Sequence, residues 1–505
     1  MDAIEVLVRT VDCGRWDETA GALDDAFFRV LAVDAGLIRR VFAAAPAAFF
    51  DAHPRLSLHR ATVDALDAGR VVDRRVLADF DAWARAQPEP ALRDQLLVRA
   101  ARARAATARG WLADAVALAD DARELARSAP ARDEGLHDLM PAVLIDCGVP
   151  RLLSGDLVGA AASFADAQRW AEGFDGSAAG HPFGEFARGH LALVHALQER
   201  YRAAEALLAV DAGAPGTADP LRRRYGPAGL LARSLSAAAS LDIVEAERLL
   251  DGLDPSIVDG ELGWVAAHVR TKLALARAVP WSMIHDLATR LDRDAHRLSA
   301  GTLAGSVLRA DLAGLHQSTG EPRAAEQLLA DPELLSDAGP VVVARARQAL
   351  LCGRPEAALR VLRDDSAGAR LPARHRPSGS VVCAAAELAA SGSIDDAALQ
   401  RAATAVRHHG AYDALAHASS ELRPLLWPLV TELRHEVPAP WAYRSRVRLT
   451  PREREMIAAL RTCPTIGAVA RTLHLSPNTV KTHVRSLYRK LGAHTRDEAL
   501  WLARR

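Results

Sequence analysis

Along residues 1–434 apolar side chains recur at spacings of three and four, on a background of Ala, Leu and Arg. All three are strong helix formers, and that period is the helical one. Residues 96–126 illustrate it: Leu96, Leu97, Ala100 and Ala101 form a stripe that ends near Gly110, and a second stripe runs from Trp111 to Leu125. The valine-rich stretches 341–343 and 381–382 are too short and too isolated to build a sheet. The pattern predicts an all-α chain.

A local unit then repeats. A turn residue, usually Gly, is followed by an apolar residue or Pro two places on and by Ala four or five places on. Clear copies start at Gly14, Gly110, Gly155, Glu199, Leu241, Gly320, Gly353 and Gly392, with weaker ones at Gly69 and near Ala278. Gly at the end of a helix accepts the left-handed conformation at low cost. Pro322 and Pro355 suit the first turn of the helix that follows. A small Ala lets paired helices cross closely. One pair cannot bury its apolar face but a stack can, which predicts an α-solenoid of about ten hairpins with a period of about 40 residues. The pattern resembles tetratricopeptide-type repeats over roughly 10–410, with a period longer than about 34 residues and without the full aromatic and proline signature. The tryptophans Trp16, Trp111 and Trp170 are expected to pack between units.

Near 424 the texture changes, because Pro424, Pro428, Pro438 and Pro440 interrupt any continuous helix. Trp427 and Trp441 mark this stretch as one that packs against something. The division read from the sequence is a helical-repeat sensor or interaction domain over 1–434, a proline-rich linker over 435–447 and a small four-helix domain over 448–505.

Charge sharpens that division. The whole chain has 63 Lys and Arg against 63 Asp and Glu. Residues 444–505 hold 14 basic and 4 acidic residues, a net of +10, which leaves −10 on the remainder. A basic end on an acidic body has the sign expected of a polyanion binder. The same asymmetry would let the body occupy the basic end at rest, or merely keep both halves soluble. The start of the chain, Met1-Asp2-Ala3-Ile4-Glu5, lacks the positive charge of a signal peptide, and no apolar run approaches membrane-spanning length. Five scattered cysteines without a CxxC pair fit a reducing compartment. A cytoplasmic location is expected, and the excess of Arg and Ala reads as a GC-rich bacterial genome.

Residues 449–505 carry the chemistry. The first helix has Thr450 as N-cap, Pro451 at its first position and Glu453 at its third, a capping box, with Ile457 and Leu460 inward. Pro464 breaks the chain. Thr465 caps a second helix with Ile466, Val469, Ala470 and Leu473 on its core side. The turn His474-Leu475 leads to Ser476 as N-cap and Pro477 as first residue of the third helix. A fourth starts at Thr495, with Glu498 completing a second capping box and with Ala499, Leu500 and Leu502 inward. At about 100° per residue, Val480, Val484, Leu487 and Leu491 share one face of the third helix. Asn478, Lys481, Thr482, Arg485 and Arg489 cluster on the opposite one. Such a face fits a DNA major groove: Arg pairs with guanine, Asn with adenine, and a Thr methyl touches thymine.

This segment resembles the LuxR-type helix-turn-helix domain of bacterial transcription regulators. The resemblance lies in Leu449-Thr450-Pro451-Arg452-Glu453, Leu473-His474-Leu475-Ser476, Thr479-Val480-Lys481-Thr482-His483, Lys490-Leu491-Gly492 and Arg496-Asp497-Glu498-Ala499. It implies that Lys481, Thr482 and Arg485 face bases. It also implies that neighbouring polar residues hold phosphates; with Asn478, Thr479, His483 and Arg489 the candidate DNA-binding set is complete. The fourth helix is implied to serve dimerisation. Two departures stand out. Cys463 occupies the place of a usual Gly after the first helix, and Ala468-Val469-Ala470 replaces Glu-Ile-Ala in the second. A left-handed Cys would cost about 1 kcal/mol relative to Gly, so the loop is expected to take another path. Between basic residues, Cys463 is also a candidate for a lowered thiol pKa.

Other chemistry finds less support. No phosphate-binding GxxxxGK[ST] loop, GxSxG or GxGxxG occurs. His435-Glu436 opens like HExxH, but Ala439 stands in the second His position and Pro438 would break the helix. His408-His409 reads as a solvated helix end. The sequence thus reads as a bacterial DNA-binding transcription regulator that is not an enzyme and carries no cofactor or metal. Its expected partners are double-stranded DNA, a small-molecule or protein effector on the repeat body and a second copy of the chain, with no membrane. A helical-repeat scaffold that does not bind DNA is the alternative.

Overall fold

In the computed structural model, the described residues are 3–128, 134–172, 181–209, 220–258, 260–363, 373–432, 435–441, 450–491, 496, 499 and 500. Their regular structure is helix, with no strand among the described residues. Helical hairpins follow one another along the body, for example Leu92–Ala108 with Leu112–Arg127, Met140–Ser154 with Leu157–Glu172, and Leu303–Ser318 with Pro322–Leu329.

Each expected turn is a left-handed residue. Gly14, Gly69, Gly110, Gly155, Gly320, Gly353 and Gly392 all have positive φ. So do three residues that are not glycine: Glu199 at 61°, Leu241 at 64° and Ala278 at 55°. The hydrogen bonds explain the shared shape. At Gly110 the amide donates to the Thr107 carbonyl at 3.0 Å, and the next amide, of Trp111, reaches back to Ala106 at 3.0 Å. The same pair of bonds recurs at Gly14, Gly69, Glu199, Leu241, Ala278, Gly320 and Gly353. This is the Schellman closure, which satisfies helix-end carbonyls only when the intervening residue is left-handed. Five residues after the turn stand Ala115, Ala160, Ala204, Ala246, Ala325 and Ala358, each with 0% exposure. A methyl group is what the crossing of the two helices accommodates.

One irregularity in the spacing has a cause. Between the turns at Gly14 and Gly69 two additional helices, Ala35–Ala44 and Ala47–Ala52, are inserted. The helix before them, Trp16–Val33, breaks at Ala26 (φ −145°). The break deprives the next amides of helical acceptors. The buried carboxylate of Asp138 takes them instead, accepting from Phe28 N–H at 2.7 Å and Arg29 N–H at 2.9 Å.

Units far apart in sequence also touch. Arg297 donates to the Ala108 carbonyl at 2.9 Å across 189 residues, and the Glu199 carboxylate accepts from Ser378 N–H at 2.8 Å across 179. The stack therefore winds back on itself about every four to five units. Charge pairs are buried between units as well as apolar contacts: Arg104 Nε lies 2.9 Å from Asp146, which also accepts from the Tyr225 hydroxyl at 3.1 Å. Lys272 pairs with Asp413 at 2.5 Å. Of the tryptophans expected between units, Trp16 packs edge-on against Phe49 and Trp170 against His137. Trp111 does not fit that expectation: it is 56% exposed, with the Arg109 guanidinium over its ring.

The proline-rich stretch begins on the body. Leu422, Leu426, Val430, Val437 and Trp441 all join the main core. Trp441 lies stacked on His417 at 4.6 Å, beneath the Arg347 guanidinium at 4.0 Å, and its Nε1–H donates to the Gly314 carbonyl at 3.1 Å. Residues 435–441, expected as the start of a linker, are thus fastened chain; 442–447 lie outside the described residues. No helix among the described residues is long and apolar enough to cross a membrane.

Two predictions follow from the turns and the core. Ala278 is exposed and left-handed, so Ala278→Gly relieves strain with no loss of packing. It should raise stability by about 1 kcal/mol, read as a higher urea midpoint by circular dichroism. Burial pushes the His190 imidazole down to about 4 from its ordinary 6.5. The folded state therefore binds the proton more weakly than the unfolded state does. Stability is unaffected by this group above pH 6.5 and is lost as pH falls toward 4, by roughly 3 kcal/mol at about 1.4 kcal/mol per pKa unit. His190→Gln, measured by urea titration at both ends of that window, should flatten the dependence.

Candidate nucleic-acid interface

The C-terminal unit has a core of its own. Met456, Ile457, Ala459 and Leu460 from Pro451–Thr462 meet Val469 and Ala470 from Ile466–Thr472, and Val480, Val484 and Leu487 from Pro477–Leu491. Its helix ends are closed by side chains. The Thr450 hydroxyl accepts from Glu453 N–H at 3.2 Å, and the Glu453 carboxylate accepts from Thr450 N–H at 2.7 Å, the expected capping box. The Thr465 hydroxyl accepts from Ala468 N–H at 3.2 Å and that of Ser476 from Thr479 N–H at 3.1 Å. All three N-caps stand where the sequence put them. Leu491, the last residue assigned to the buried stripe, lies outside the described side chains, as does Lys490. Gly492, Thr495, Asp497, Glu498 and Leu502 lie outside the described residues. Ala499 is buried and Leu500 packs against the core, as expected.

The turn between the second and third helices repeats the body's device. His474 is left-handed at φ 53°, and Leu475 N–H reaches back to the Ala470 carbonyl at 2.9 Å. By contrast Cys463, at the place of the usual Gly, is extended (φ −103°, ψ 122°), so the chain takes the other path and avoids the left-handed cost. Hydrogen bonding with the Thr472 and Thr462 hydroxyls, ahead of the charges of Arg496 and Arg471, holds the Cys463 thiol below its ordinary pKa.

The third helix presents the candidate residues together. Asn478, Thr479, Lys481, Thr482, His483, Arg485 and Arg489 are all exposed. Asn478, Lys481, Thr482, Arg485 and Arg489 lie on the side away from Val480, Val484 and Leu487, whereas Thr479 and His483 flank that buried stripe. Two of the short polar groups are partly committed to the helix: the Thr479 hydroxyl lies 2.8 Å from that of Ser476, and the Thr482 hydroxyl donates to the Asn478 carbonyl at 3.1 Å. Lys481, Arg485 and Arg489 are exposed and make no ion pair among the described residues. Their charge is available to a polyanion.

Two positioning residues escaped the sequence reading. Arg496 lies across the end of the first helix, donating to the Pro464 carbonyl at 2.6 Å and to those of Leu460 and Cys463. Arg452 pairs with Glu455 at 2.6 Å and reaches the Leu473 carbonyl at 3.5 Å. A cation at a helix C-terminus is favoured by the dipole as well as by the bonds. Their place in the matched segment was visible, but a long Arg carries no local sign of which distant carbonyl it will meet.

Comparison with known proteins fits this geometry. Residues 447–503 match the family model described as bacterial regulatory proteins, luxR family. Over 52 residues the chain is 44% identical to the probable transcriptional regulatory protein NarL of Mycobacterium tuberculosis, in strains CDC 1551 / Oshkosh and ATCC 25618 / H37Rv. The match spans 10% of this chain and 24% of that protein. No solved structure matches the chain. The C-terminal segment is a LuxR-family helix-turn-helix domain.

Arg496→Met keeps the side-chain bulk and removes the charged donor. It should destabilise the C-terminal unit by about 1–3 kcal/mol. Hydrogen exchange of the amides of 456–463 should accelerate, with the body amides unchanged.

Proposed function

We propose that this chain is a DNA-binding transcription regulator in which Pro477–Leu491 enters the major groove and the helical body senses a ligand or protein. The observation that carries the proposal is the exposed cationic face of that helix, opposite a buried stripe, in a segment matching a regulator family. At 15 residues the helix is about 22 Å long, enough to lie along one groove. In this reading Lys481, Thr482 and Arg485 contact base edges. Asn478, Thr479, His483 and Arg489 hold the flanking backbone and register, and Ile466–Thr472 braces the helix on the phosphates.

The body, 1–434, supplies the sensing, and the chain after Trp441 connects it to the DNA-binding unit, 448–505. The protein acts in the cytoplasm, and a second copy of the chain would present two such helices to a two-fold operator. Its role is in binding and needs no catalytic group.

Selection of bound DNA from a random pool with the full-length protein tests this, because the recovered sequence reports binding, symmetry and half-site spacing together. A preferred site is expected, held in a salt-dependent way. Failure to retain DNA at any salt would leave the chain an interaction scaffold. Arg485→Ala should cost about 1–3 kcal/mol at one position of the preferred site and relax the choice of base there. An unchanged preference in the variant would move base reading to another residue.

A further inference from the structure

A wide groove lies at the last hairpin of the body. The helices Pro377–Ser391 and Asp396–His409, with the end of Pro355–Arg363 and the short turn Ala373–His375, line about 840 Å³ of space. That is within the range of small-molecule sites, roughly 300–1,000 Å³. The floor is low because the residues there are small: Ala384 and Ala398 are buried, and Cys383 is half-buried beside them. Burial pushes the Cys383 thiol up to about 11, so it stays neutral and puts no negative charge on the floor.

The charge around this floor is one-sided. Among the described residues, three guanidiniums, Arg363, Arg374 and Arg401, and one carboxylate, Glu387, line the groove, a net of +2 with its histidines neutral. Glu387 pairs only loosely: it lies 3.9 Å from Arg363 and accepts from the Cys383 thiol at 3.6 Å. Arg374 Nε donates to the His375 ring at 3.2 Å. Arg401 is exposed and makes no hydrogen bond or ion pair among the described residues. The charges of Arg363 and Arg401 both reach the Cys383 thiol, so they flank the floor from two different helices. Gln400 and Thr404, exposed on the helix that carries Arg401, add neutral hydrogen-bonding groups to the lining.

We propose that this groove binds a small phosphomonoester with a hydroxyl-bearing body, a sugar or polyol phosphate. A phosphomonoester carries a charge of about −1.5 to −2 near pH 7, which matches the net charge of the groove. A guanidinium pairs with two phosphate oxygens at once, and Arg401 is uncommitted. The phosphate would sit over Cys383 between Arg363 and Arg401, and the hydroxyls would meet Gln400 and Thr404. This deepens, and rests on, the reading of the body as a sensor. A route to the DNA-binding unit starts from the same helix. Asp396–His409 also carries Arg407, whose Nε lies 3.0 Å from the Glu432 carboxylate in the proline-rich stretch. At its end Gly410 (φ 71°) leads into Tyr412–His417, and His417 stacks on Trp441. A ligand that binds one placement of this helix better than another shifts the population toward it.

Isothermal titration calorimetry of the full-length protein, without DNA, tests the site with glucose 6-phosphate and glycerol 3-phosphate as probes. Controls are glucose, which has the body without the charge, and inorganic sulfate, which has the charge without the body. At least one ester should bind at a single site, with each control at least about 10-fold weaker. Arg401→Glu reverses an unpartnered exposed charge and should weaken binding at least about 10-fold with an unchanged circular dichroism spectrum. Thr404→Trp, an exposed change that fills the groove, should do the same. The absence of heat from both esters at millimolar concentration would overturn the proposal. So would equal binding of glucose or sulfate, or undiminished binding by both variants. Weaker DNA binding by Arg401→Glu, with no heat from either ester, would assign the groove to DNA phosphates and overturn it too. The sensor reading is tested separately: an ester that binds but leaves affinity for the selected DNA unchanged counts against sensing and leaves the site standing.

Discussion

A single backbone constraint underlies the body: each long helix must end on a residue that can turn left-handed. The closure at Gly110 and its counterparts satisfies the last carbonyls of one helix and directs the next helix back along it. The fully buried alanines five residues later set how close the two helices come. Where the turn residue is Glu199, Leu241 or Ala278, the left-handed state costs an L-residue about 1–2 kcal/mol. That the turn persists there shows that the stack on both sides determines it.

Hairpins of this kind leave two faces to be covered, and the winding covers them with polar as well as apolar contacts. Asp138 accepts the two amides freed at the break in Trp16–Val33, and Arg104, Asp146 and Tyr225 join three different hairpins. Buried charges of this kind add little net stability against well-packed apolar groups, but they penalise any winding that separates them. The body is thereby held to one register.

The C-terminal unit solves a different problem. Beside its apolar core, side chains on helix ends hold its order: Thr450, Glu453, Thr465 and Ser476 at the N-termini, Arg496 and Arg452 at the C-termini. This leaves the outer face of Pro477–Leu491 without a structural duty. Trp441 fixes the other end of the connection. Nine residue steps separate it from Thr450, so the first helix of this unit begins within about 30 Å of a fixed point on the body. Tethering at that range keeps the two halves at high effective concentration whatever their orientation.

What the sequence determined by itself was local. The turn positions, the three N-caps, the buried stripe Val480, Val484 and Leu487, and the exposed polar face opposite it depend on period and on residues a few places apart. Even Glu199, Leu241 and Ala278 were legible as turns, because their neighbours kept the spacing of the glycine copies. The tertiary structure alone decided whatever depends on contacts between distant units. The contact of Arg297 with Ala108, the capture of Trp441 between His417 and Arg347, the exposure of Trp111 and the reach of Arg496 to the first helix are of this kind. Helical periodicity states which face of each helix is apolar. The small rotation accumulated from one hairpin to the next states which faces meet, and that rotation is a sum over packing contacts that no single stretch of sequence contains.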